Sequence, residues 1–290
     1  MPRCAVLRLL LVAVFALLAA CAQQPGKPLA ARQAEALEAN RKAELRFRGG
    51  DFDGAAQLYR EALRIAQSIE DVEGIAANAI NLSIVYQRLG KHAEARASLA
   101  PLLDDSRLRF PVARLAQAGL RRAVLDFDER RYAGSAEWLE KAASWCPQQG
   151  CALAAAIDNL KGLLALEEGR TGAAAASARA ALERSLATGD RIEAANAKRL
   201  LGNVAMRAGD AAAALAALNE ALAIDRELAL PRKIYLDLIG LGRASTLGGA
   251  PAAARNFYER ALAVSEADRD GPGAAEARNL IRALGEVRSR

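Results

Sequence analysis

The stretch LLGNVAMRAGDAAAALAALNEALAI, from Leu200 to Ile224, decides the architecture. Its residues Ala214, Leu218 and Leu222 stand four apart, so they share one face of a helix. Gly209, just ahead of them, tolerates the left-handed backbone at which a helix commonly stops. Gly202, seven positions earlier, carries no side chain and lets a second helix approach closely. The segment therefore reads as helix, turn, helix.

The same pattern recurs along most of the chain. Gly50, Gly90, Gly169, Gly209 and Gly249 fall on a grid of 39 or 40 residues, with Arg130 in the missing slot. Five positions on stand Ala55, Ala95, Ser135, Ala174, Ala214 and Ala254. Four further come Tyr59, Leu99, Leu139, Ala178, Leu218 and Tyr258, then Leu63, Leu103, Ala143, Leu182, Leu222 and Leu262. Seven before the glycine column stand Ala43, Ser83, Ala123, Gly162, Gly202 and Gly242. Each unit is expected to be two antiparallel helices of roughly 14–18 residues joined by a short turn. One such hairpin cannot bury its own apolar face, so the units must stack.

Composition agrees. Of 290 residues, 70 are alanine and only 4% are aromatic, which favours helices and leaves too few strand formers for a β-rich fold. The 52% apolar content excludes a disordered chain.

These columns resemble the tetratricopeptide repeat, with Arg191–Leu228 and Leu230–Asp268 the best matches, over Gln33 to Asp270. The resemblance implies an all-α fold: a right-handed α-solenoid of about six helical hairpins, residues 33–270. A period of about 40 in place of the family's common 34 implies longer helices or longer connections. Arg130 and Ser135 depart from their columns, and an irregular turn is expected in unit three. After Asp270-Gly271-Pro272-Gly273, the spacing of Ala277, Leu280, Ile281 and Leu284 predicts a capping helix within 271–290, with an unstructured tail as the alternative.

At the N-terminus, Arg3 and Arg8 precede an uncharged apolar run from Leu9 to Ala22. It falls short of the ~20 residues that span a bilayer and suits a signal-peptide core. Its end, Leu18-Ala19-Ala20-Cys21, resembles the lipobox of bacterial lipoproteins. The resemblance implies cleavage of residues 1–20 and lipidation of Cys21; a plain secretory signal is the alternative. Lipoproteins commonly carry aspartate after the cysteine when held at the inner membrane. Ala22 here therefore implies the periplasmic face of the outer membrane. Residues 21–32 read as a tether. Loss of the leader would leave 38 basic against 34 acidic residues, a mild excess without the basic stripe of a nucleic-acid binder.

No hydrolase, phosphate-loop, zinc-protease or dinucleotide motif appears in the chain, so no catalytic, cofactor or metal residue is nominated. The single histidine, His92, lies where family members place a packing aromatic at the start of a second helix. Cys146 and Cys151 flank Pro147 and Gly150, a turn that could bring them into bonding range in an oxidising compartment.

The first helices of stacked repeats line the concave surface, where family members hold peptides. Asn196, Arg199 and Asn203 share one face of the first helix in unit five. Asn81, Asn159 and Arg243 take comparable positions in units two, four and six. Asparagine amides can pair with a peptide backbone and arginine can grip a carboxylate, although a solvated face without ligand also accounts for them. The functional expectation is a non-catalytic scaffold or adaptor for periplasmic or outer-membrane proteins or peptides, in cell-envelope assembly. The alternatives are an accessory subunit or regulator of an envelope enzyme, or a peptide sensor.

Overall fold

The computed structural model describes residues 30–104, 107–147 and 150–287; the leader, Cys21 and most of the tether lie outside the described residues. Hairpin one is α1 (Ala31–Arg48) and α2 (Phe52–Ser68). Hairpin two is α3 (Val72–Arg88) with a divided second helix, α4 (His92–Ala97) and α5 (Ala100–Leu103). Hairpin three is α6 (Val112–Asp128) and α7 (Tyr132–Ser144), and hairpin four is α8 (Ala154–Glu167) and α9 (Thr171–Thr188). Hairpins five and six are α10 (Arg191–Arg207), α11 (Ala211–Glu227), α12 (Pro231–Leu247) and α13 (Pro251–Ala267). The cap is α14 (Gly271–Val287). No strand occurs among the described residues, and no described helix is long and apolar enough to cross a membrane.

The sequence columns explain the packing. Ala55, Ala95, Ala174, Ala214 and Ala254 are all fully buried, and so is Ser135. A Cβ on Gly202 would stand 2.7 Å from Leu218 Cγ, and one on Gly242 would stand 2.2 Å from Tyr258 Cε1. In hairpins five and six the small residue of the first helix thus seats the large residue of the second, whereas in hairpin four Gly162 makes room for Leu200 of the next first helix. First helices also touch the first helices of adjoining hairpins, so they form an inner layer and the second helices an outer one.

Turns follow the glycine grid, with φ of +76° at Gly50, +71° at Gly90 and +78° at Gly209. Arg130 takes the same left-handed conformation at φ +59°, and Ser135 Oγ donates to the Ala123 carbonyl at 2.8 Å. Contrary to the sequence reading, the turn of hairpin three is regular. The irregularity falls at the ends of the second helices instead. Pro101 has no amide hydrogen and its ring collides with the carbonyl four residues back, which is Ala97, where α4 ends. Pro147 likewise follows the early end of α7.

The array comes round on itself. Arg88 at the end of α3 pairs with Asp268 beyond α13, Nη2 to Oδ2 at 2.8 Å, both side chains 22% exposed. The Arg88 guanidinium also lies 4.7 Å over the Phe52 ring, and Gly50 faces Arg269.

Candidate functional site

The inner layer carries the six polar residues singled out from sequence, and the structure divides them. Asn81 lines a cavity of about 390 Å³ between α1 and α3. Phe47, Ile84 and Val85 give it apolar walls, Tyr59 reaches it from α2, and the Glu44–Arg48 ion pair rims it. Burial raises the Tyr59 phenol above its ordinary pKa, with the Glu44 charge adding to the effect. Asn81 and Asn203 make no side-chain hydrogen bond to another described residue, which leaves their amides available. Arg243 is exposed and pairs with Glu276 of the cap at 2.8 Å; Glu276 also accepts from the Tyr235 hydroxyl at 2.7 Å.

The other three are engaged between hairpins. Asn159 donates its amide to the Glu193 carbonyl at 3.0 Å and to Glu193 Oε2 at 2.8 Å. Asn196 accepts from Arg199 Nη1 and from Lys233 Nζ, each at 2.8 Å. Arg199 completes its set with Asp237, Nε to Oδ1 at 2.7 Å, and with Asp225. Its guanidinium is therefore held inward, among α10, α11 and α12. Burial, followed by the Arg199 charge, pushes the Lys233 ammonium below its usual pKa.

One inner residue escaped the sequence reading. Arg121 of α6 donates through Nε to Ser83 Oγ at 3.1 Å and through Nη2 to the Ser83 carbonyl at 3.2 Å and to Gln87. Burial lowers its pKa to about 10. Its only sequence signal is its place two residues before the small-residue column.

Cys146 and Cys151 stand with Cα atoms 5.5 Å apart and their sulfurs joined. The neighbouring Trp145 packs its ring against Gly119, where a Cβ would come within 2.9 Å. His92 opens α4 with Nδ1 buried and unpartnered among the described residues. No group of three His, Cys, Asp or Glu side chains suited to a metal ion occurs among those residues.

Two family models, each described as tetratricopeptide repeat, match residues 32–100 and 152–229. No curated protein sequence matches the chain significantly. Among solved structures, it is similar to a Rap protein complexed with competence and sporulation factor: TM-score 0.63, 14% identity, 87% of this chain and 71% of that one. BtubC from P. vanneervenii gives a TM-score of 0.53 at 19% identity, covering 82% of this chain and 92% of that one. PilW, described as a widely conserved type IV pilus biogenesis factor, gives 0.51 at 19% identity, covering 79% and 92%. Such identities establish shared architecture alone. The columns, the stacked hairpins and both model matches lead to one conclusion: this is a chain of tetratricopeptide repeats.

Proposed function

We propose that the chain is a non-catalytic scaffold that holds a protein or peptide partner along its inner layer, tethered through Cys21 to the periplasmic face of the outer membrane. Envelope assembly is the process it would serve. The observation that carries the binding part is the cavity between α1 and α3, where apolar walls meet the free Asn81 amide. An apolar partner side chain would fill it while Asn81 pairs with the adjacent backbone. Asn203 and Arg243 continue the polar surface towards the cap. A preformed surface of this kind limits the ordering cost of binding. The tether rests on the apolar leader and its Leu18-to-Cys21 ending, and on the stable anchoring that two or more acyl chains provide.

Photocrosslinkers placed at Ile84 and Asn203 in intact cells test the surface, with exposed Leu186 of α9 as the control. A discrete partner captured from the two inner positions and absent from Leu186 supports the reading. Capture from Leu186 alone sinks it. Separately, Cys21→Ser should move the protein from the membrane to the soluble fraction; unchanged partition removes the anchor.

A further inference from the structure

Three buried side chains meet at the joint of hairpins five and six: Arg199 of α10, Asp225 of α11 and Asp237 of α12, at 11%, 1% and 0% exposure. Arg199 binds one oxygen of each carboxyl group, Oδ2 of Asp225 and Oδ1 of Asp237. The remaining oxygens, Asp225 Oδ1 and Asp237 Oδ2, are buried and find no donor among the described residues. The two carboxyl groups are gathered on this one guanidinium. An ionised carboxylate only accepts, so two of them in this position would repel and leave both oxygens unsatisfied.

The surrounding charges sharpen the point. From α10 come Arg199 and Glu193, from α11 Asp225, and from α12 Asp237 and Lys233, with Asn196 bridging the two cations. With every group in its ordinary ionisation state, three carboxylates face two cations, a net negative charge in a dry joint. One added proton brings the cluster to neutrality and supplies the missing donor at once.

We propose that Asp225 and Asp237 share a single proton, carried between Asp237 Oδ2 and Asp225 Oδ1, and that this makes the joint of hairpins five and six responsive to pH. Release of the proton leaves an uncompensated charge at the root of the inner layer, beside Lys233 and Asn196, and loosens the packing of α12 on α10. The chemistry has a parallel in paired aspartates that ionise one at a time because like charges at close range cannot both form. The pKa of Asp237 agrees: it is pushed up to about 7, with burial the largest cause, Arg199 opposing and Asp225 reinforcing.

The direction of the pH effect follows. The folded protein binds this proton more tightly than the unfolded chain, whose aspartate titrates near ~3.9. The stabilisation is full below that value and is lost as pH rises through about 7. Two measurements on the full chain test the idea. Difference infrared spectroscopy at about pH 6, where a free aspartic acid is ionised, should show the carbonyl stretch of one protonated carboxyl, absent from Asp237→Asn. Denaturant titrations should show the wild-type unfolding constant increasing about tenfold or more between mildly acid and mildly alkaline pH, with that slope flattened in Asp237→Asn or Asp225→Asn. The infrared reading on the wild type needs no variant to fold. Absence of a protonated carboxyl band there overturns the proposal, as does a pH slope that both variants retain.

Discussion

At the joint of hairpins five and six, Leu218 is wedged between two glycines: a Cβ on Gly202 would come within 2.7 Å of it and one on Gly240 within 3.0 Å. At the joint of hairpins three and four, Leu139 takes the equivalent place without a facing glycine, packed with Ala123, Leu160 and Leu164. There α7 runs only 13 residues, against 17 for α11, and the chain crosses to α8 through the Cys146–Cys151 link. The helix starts of hairpin five differ as well, while hairpin six opens its helices on Pro231 and Pro251 without side-chain caps. Asp190 and Asp210 accept from the backbone amides of Glu193 and Ala213, as Asp51 and Asp71 do for Gly54 and Gly74. Between Lys91 and Arg170 no helix has a side-chain cap. The two family-model matches stop at residue 100 and resume at 152, leaving out α6 and α7 of hairpin three. Neighbouring hairpins can thus be held by repeating small-to-large contacts, or be joined by a connection that a disulfide closes on itself where those contacts thin out.

The contrast can be broken most forcefully at its regular end. Leu218 is fully buried, and Leu218→Ala should cost about 2–5 kcal/mol. A loss below about 1 kcal/mol in denaturant titration would mean that the wedge is not what joins hairpins five and six. Removing the clip with Cys146→Ser and Cys151→Ser should cost about 2 kcal/mol for so short a loop. Reductant should bring the wild type to the same midpoint, and a double variant as stable as the oxidised protein would show the clip to be ornamental. Asp210→Ala should cost about 1 kcal/mol, with faster hydrogen exchange confined to the first turn of α11; exchange spread through α7 as well would erase the distinction between the two joints. The smallest effect is expected at the contact that closes the array. Asp268→Ala should cost no more than about 1 kcal/mol, falling further with added salt, whereas a salt-independent loss would point to packing and not to the Arg88 pair.

Much of this fold was legible because the decisive columns keep their chemistry over six units. Leu218 and Tyr258 differ in shape, yet both are large and apolar and both meet a glycine on the first helix. A second left-handed column escaped notice, formed by Glu70, Gly150, Gly189, Ala229 and Arg269, with φ from +50° to +74°. Only two of its five residues are glycine, because the turn there is imposed largely by the stacked helices on either side. Pro101 was visible, but Leu99 and Leu103 still occupy their columns, so the alternation of large and small residues concealed the break in the helix. The inner surface was legible only as a list of polar side chains. Which of them are free depends on distant partners, as with Arg199 and its ties to Asp225 and Asp237, 26 and 38 residues away.

Linear repeat arrays are stabilised by each unit's own folding and by contacts with immediate neighbours, so their ends can peel away one unit at a time. The pairing of Arg88 with Asp268 spans 180 residues and breaks that independence. Fraying of the sixth hairpin would also uncover Arg88 and Gly50 of the first two hairpins, so a partner bridging both ends of the array would be felt at either one.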